Sequence, residues 1–221
     1  MGEKRKPITA AEFMARRQAD PEWVRRQAEY EAAHKASVAQ MQKEMEPEVS
    51  PLLADIAAAG VKFYPTKLDQ WKSGGTITGP EPIPVRSISN LINTLDNYPV
   101  AIPILVKHLR MAKHPVVVEC LARDLTMKEA RGPQARQILE KLQRLDFLES
   151  TPAVPHSQAR WALANALVVV GDESMVEEIK ALIADPRYAD AHNRLKDALK
   201  HCERLAKKNS GRKASMKRGQ P

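Results

Sequence analysis

With 221 residues, of which 43% are hydrophobic and 28% charged, the chain has the balance of a folded soluble protein able to bury one sizeable core. Its net charge of +8 sits at the ends: seven basic residues and no acid follow Glu203, three of the first six residues are basic, and Pro7 to Glu203 carries about −1. That distribution argues against a nucleic-acid groove built into the body, which would need an excess of Lys and Arg there to meet phosphates.

No segment reads as membrane-spanning. The longest uncharged run, Trp161 to Gly171, has 11 residues, against the roughly 18 to 20 that a membrane helix needs. The N-terminal "MGEKRKPITAAEF" lacks the apolar core of a secretory signal. These features predict a cytoplasmic protein without a membrane partner. Cys120 and Cys202 stand at apolar helix positions with no CxxC or Cys/His spacing, so they read as buried thiols rather than a disulfide or zinc site.

Two helix starts come early. Thr9 to Glu12 is a Thr-x-x-Glu capping box, and "DPEW" at Asp20 offers an Asp cap with Pro21 in the first turn. The second helix is long, and Trp23, Gln27, Tyr30, His34, Val38, Met41 and Met45 recur along it at spacings of 4, 3, 4, 4, 3 and 4. This narrow seam fits a helix lying on the body, one projecting into solvent, or one that dimerises. Residues 1–47 therefore read as a charged N-terminal helical segment.

Residues 48–87 read as a short helix, "SPLLADIAAAG" with Ser50 at its start and Gly60 at its stop, followed by a Gly/Pro-rich loop or small hairpin up to Val85. Lys72, Ser73, Gly74 and Gly75 stand in the wrong order for a phosphate-binding GxxxxGK[ST] loop.

From residue 88 to 206 the chain reads as short amphipathic helices separated by brief turns: "ISNLINTL", "YPVAIPILVKHLRMA", "PVVVECLARDLT", "GPQARQILEKLQRLDFL", "SQARWALANALVVV", "ESMVEEIKALIAD" and "RYADAHNRLKDALKHCERLA". The fifth differs from the rest because it is apolar nearly all round. Ala159, Ala162, Leu163, Ala166, Leu167 and Val170 share one side, while Trp161 and Val168 fall almost opposite with Asn165 beside them.

Ala159 to Asp172 resembles the second helix of a HEAT repeat, with Arg160, Ala162, Ala166, Leu167, Val170, Gly171 and Asp172 at the motif positions. The segment around Ala191, Leu195, Ala198 and Leu199 matches more weakly, and that around Leu121, Ala122 and Leu125 more weakly still. Leu125, Leu167 and Leu199 lie 42 and 32 residues apart, spacings compatible with such repeats. The chain thus resembles bacterial HEAT-like (PBS-lyase-type) repeat proteins over Ile88 to about Leu205.

The resemblance implies an all-α fold, a short right-handed α-solenoid of three helix pairs, while residues 207–221, with like charge throughout and no apolar periodicity, read as a disordered basic tail. In such an array the side of the fifth helix that carries Trp161 is either spent on packing between repeats or partly exposed on the concave surface.

No catalytic constellation emerges. The six histidines form no HExxH or other metal-ligand spacing, Glu177 and Glu178 read as a solvated helix face, and no cofactor motif is present. The expectation is a non-catalytic scaffold that binds a protein partner through its concave or inter-repeat surface, with Arg123, Asp124, Trp161, Asn165 and Arg194 as the binding residues. The tail residues Lys207, Lys208, Arg212, Lys213, Lys217 and Arg218 would add weak, non-specific nucleic-acid contact. The alternative is a nucleic-acid-binding protein similar to HEAT-like alkylpurine DNA glycosylases, in which Asp124 would stabilise positive charge at a sugar beside Trp161, Arg123 and Arg194.

Overall fold

The computed structural model describes residues 9–63, 82–92, 98–144 and 156–218, with the side chains of Arg16 and of residues 211–218 left aside. It is all-helical apart from a two-residue ladder. The helices are α1 (Ala10–Gln18), α2 (Pro21–Ala58), α3 (Ile102–Met111), α4 (Pro115–Asp124), α5 (Pro133–Arg144), α6 (His156–Val170), α7 (Val176–Ala184) and α8 (His192–Arg218). The chain divides into two compact units, Met1–Glu44 and Met45–Pro221.

In the first unit both expected caps are present. The Thr9 hydroxyl accepts from the Glu12 amide while the Glu12 carboxylate accepts from the Thr9 amide at 2.8 Å. Asp20 Oδ1 accepts from the Glu22 amide at 3.0 Å, which satisfies one of the donors that the start of α2 would leave unpaired.

α2 corrects one expectation: the separate short helix expected from Ser50 is the end of a single 38-residue helix, with Pro47 and Pro51 inside it. Each proline removes one hydrogen bond and crowds the preceding turn, but burial compensates, since Leu52 and Ile56 are almost fully enclosed in the core. The helix stops at Gly60 (φ 66°), where the Val61 amide reaches back to the Ile56 carbonyl at 3.2 Å and the Gly60 amide to Ala57 at 3.0 Å. This left-handed stop favours glycine.

Beyond it, Lys62 pairs with Pro84 and Phe63 with Ile83 in the antiparallel ladder β1 (Lys62–Phe63) and β2 (Ile83–Pro84). The "KSGGTITG" stretch lies outside the described residues. The helix expected at "ISNLINTL" is a single 3-10 turn over Ile88–Asn90, capped by Ser87, while residues 93–97 lie outside the description.

The second unit is built around α6. This helix packs against α4 on one side and α8 on the other, with α5 also against it; α3 packs on α4 and α5, and α7 on α8. Its neighbours can approach closely because Ala159, Ala162, Ala164 and Ala166 are all buried beside Leu163 and Leu167.

The Gly-Asp pair that ends α6 has a steric reason. A Cβ on Gly171 would stand 2.6 Å from the Leu167 carbonyl oxygen and 2.9 Å from Cys202 Sγ on α8. Asp172 then caps the next turn by accepting from the Ser174 amide at 2.9 Å.

Side chains from elsewhere close several helix ends. The Tyr98 hydroxyl lies 2.8 Å from the Asp124 carbonyl oxygen at the end of α4, and the Tyr188 hydroxyl 3.2 Å from the Leu142 carbonyl oxygen near the end of α5. Arg131 donates to the Val169 carbonyl at 3.0 and 3.1 Å, and Lys141 to the Ala112 carbonyl at 2.5 Å. At the other polarity, Glu48 on α2 accepts from the amides of Lys113 and His114 ahead of α4.

α8 is drawn as a helix from His192 to Arg218. On α8, Leu195, Ala198 and Cys202 are buried as the helical period requires, and Tyr188 and Ala191 are buried from the 3-10 turn ahead of it.

Candidate functional site

The face of α6 away from Ala159, Ala162 and Ala166 carries Trp161, Asn165 and Val168, spaced one turn apart, and all three are half-buried. Trp161 packs partly against the core, and the Arg194 guanidinium of α8 stands 4.9 Å from its ring centroid. That is a cation–π geometry.

Two open grooves flank this face. One, of about 530 Å³, is lined by Glu119 and Arg123 of α4, by Ser157, Gln158 and Trp161 of α6, and by Asp190. The other, of about 550 Å³, runs along α8 past Val168, Asp197, Lys200, Glu203, Arg204 and Lys207.

The charges in these grooves are mixed and largely tied. Arg123 pairs with Glu119 at 2.7 Å, and Arg160 holds Asp190 through a forked guanidinium–carboxylate pair. Asp197 has Arg194 at 3.5 Å and Lys200 at 3.8 Å. The arrangement is polar, with one aromatic ring among paired charges. Among the described residues, no group of three or more His, Cys, Asp or Glu side chains is placed to hold a metal ion.

Of the five residues singled out from sequence, Trp161 and Arg194 meet directly, Arg123 lines the same groove as Trp161, and Asn165 lies one turn further along α6. Asp124 does not join them. Its side chain turns inward, 1% of the residue is exposed, and neither carboxylate oxygen has a hydrogen-bond partner. Burial pushes its carboxyl well above the usual range. The same burial, with Asp124 nearby, holds the Cys120 thiol up at about 12. Helical spacing placed Arg123 and Asp124 on adjacent positions, and adjacent positions point about 100° apart, so one faces the groove and the other the core.

Sequence reasoning missed Glu119 and Asp190. Glu119 was legible as the residue four before Arg123 on a helix, whereas Asp190 reaches Arg160 from an irregular turn that no periodicity marks. Of the basic tail, Lys207 lines the second groove and Lys208 is exposed; the side chains of Arg212, Lys213, Lys217 and Arg218 lie outside the described residues.

Among the described residues no helix is long and apolar enough to cross a membrane. The chain matches no protein-family model, no curated protein and no solved structure.

Proposed function

We propose that residues 88–206 form a short α-solenoid of HEAT-like helix pairs, α3/α4, α5/α6 and α7/α8, and that the protein is a non-catalytic scaffold binding a protein partner along the face of α6 that carries Trp161. The observation that supports this most is the half-buried row Trp161, Asn165, Val168 between flanking helices α4 and α8. A helix with neighbours on several sides that leaves a row headed by a tryptophan partly open has the form of a binding strip, and tryptophan and arginine are enriched among the residues that dominate binding at protein interfaces.

The mixed charge of the grooves favours a protein partner over nucleic acid. Glu119, Asp190, Asp197 and Glu203 stand among Arg123, Lys200, Arg204 and Lys207, and a phosphate backbone would meet these carboxylates as repulsive neighbours. The glycosylase-like reading is further weakened by Asp124, whose carboxyl is enclosed and out of reach of a substrate.

Affinity capture from native extract tests the proposal. The full chain should retain a defined protein that Trp161→Ala and Arg194→Ala lose, with circular dichroism unchanged. Loss of capture only after nuclease treatment, or turnover of alkylated DNA by the wild-type chain, would overturn it.

A further inference from the structure

The first unit leaves a largely apolar seam only partly covered. Along α2 within this unit, Trp23, Gln27, Val38 and Met41 are half-buried while Tyr30 and His34 are exposed, and Tyr30 keeps 66% of its surface. Val24, Phe13 and Met14 are also exposed at 46%, 45% and 45%. A charged helix whose apolar stripe meets water gains little from its own hydrogen bonds and draws its stability from whatever covers that stripe.

The seam has a symmetry that names its cover. Its spacings, 4, 3, 4, 4, 3 and 4, read the same in both directions about His34. When the helix is laid antiparallel on a copy of itself with His34 against His34, residue i comes level with residue 68 − i, by a two-fold axis. Every seam position then meets a seam position: Gln27 faces Met41, and Tyr30 faces Val38, a large ring against a small branched side chain. In parallel register each residue would meet itself, tyrosine on tyrosine and valine on valine.

Charge selects the same orientation. From Thr9 up to Gln27 the unit holds Arg16, Arg17, Arg25 and Arg26 against Glu12, Asp20 and Glu22, whereas its far end carries Lys43 on the outer face and Glu44 on the flank of the seam, where Gln40 donates to Glu44 at 2.8 Å. The antiparallel copy brings Glu44 level with residue 24, two residues or about 3 Å along the axis from Arg26, on the same flank of the seam. On the other flank, Glu31 of one copy comes within the same axial distance of Lys35 of the other. A parallel copy would stack the arginine-rich ends on each other.

We infer that the seam of α2 is a homodimerisation surface, and that its occupant is the same helix of a second copy, antiparallel, with His34 on the two-fold axis. This surface is separate from the Trp161 face and stands or falls without it.

Sedimentation equilibrium of the full chain should give a dimer. Tyr30→Asp and Val38→Asp should give monomers whose unfolding transition is otherwise retained, and His34→Leu, which replaces the central polar pair by an apolar one, should lower the dissociation constant roughly tenfold or more. Arg26→Glu should weaken the dimer, and Glu44→Arg added to it should restore it. A wild-type monomer at the highest soluble concentration, or an unchanged mass in Tyr30→Asp, overturns the inference. So does rescue of Arg26→Glu by Glu31→Arg in place of Glu44→Arg, because that pair meets only in parallel register.

Discussion

Trp161 and Asp124 show how one residue's direction decides its role. Trp161 is half-buried, with its ring against the core on one side and Arg194 on the other. Trp161→Ala should therefore cost about 1 to 3 kcal/mol in urea unfolding, below the roughly 3 to 5 kcal/mol of a fully enclosed aromatic. A cost above that range would make the ring core and remove it as an anchor. Asp124 behaves oppositely. Its folded-state carboxyl is raised by burial, so the neutral acid is the form that folding favours. The associated stability is present below the unfolded carboxylate range and declines as pH rises through the folded value. Asp124→Asn should flatten that decline, so that wild type and variant diverge in denaturation midpoint on going from acid to alkaline pH, with the variant the more stable on the alkaline side. An unchanged profile would show that the carboxyl is solvated.

At the scale of the element, helix ends in this protein are closed by partners distant in sequence. Glu48 on α2 accepts from two amides ahead of α4 at 3.0 and 3.1 Å. Removing it leaves both donors unpaired at a helix start, and Glu48→Ala should destabilise the second unit by about 1 to 2 kcal/mol, read from the shift in thermal midpoint. Nearby, Asp55 holds Lys107 at 2.8 Å and His108 at 2.9 Å, tying α2 to α3. The hydrogen bond from Lys107, and then that from His108, hold the Asp55 carboxyl below its ordinary value. Its contribution is present above the unfolded carboxylate range and disappears as pH falls through the folded one. At the end of α6, Gly171→Ala should cost roughly 1 to 3 kcal/mol, because its new methyl would meet the Leu167 carbonyl and Cys202 Sγ in a packed interior. A neutral effect would mean that the two helices separate freely at that point.

For the whole molecule, charge is distributed by position along the chain. The basic excess lies after Glu203, and the grooves along α6 mix both signs. Deleting residues 207–221 should abolish most non-specific retention on DNA or RNA, while partner capture by the Trp161 face persists. If the shortened chain still held nucleic acid at about 0.2 M salt, where counterion competition suppresses weak contacts, the grooves themselves would be the binding surface.

Sequence alone determined what local chemistry can write. The Thr9 and Asp20 caps, the stop at Gly60 and the helical character of the second half all rest on contacts within one or two turns, where spacing in sequence is spacing in space. The apolar run of Ala159 to Val170 also pointed to the helix that has several neighbours, because a helix apolar nearly all round needs cover on more than one face. Tertiary structure decided the rest. Pro47 and Pro51 stay inside a helix because the core holds Leu52 and Ile56. Asp124 turns inward while Arg123 lines the groove, and Asp190 joins Arg160 across 30 residues. Such outcomes depend on which faces meet, and the meeting of faces distant in sequence is fixed by packing of the whole core, to which no local pattern has access.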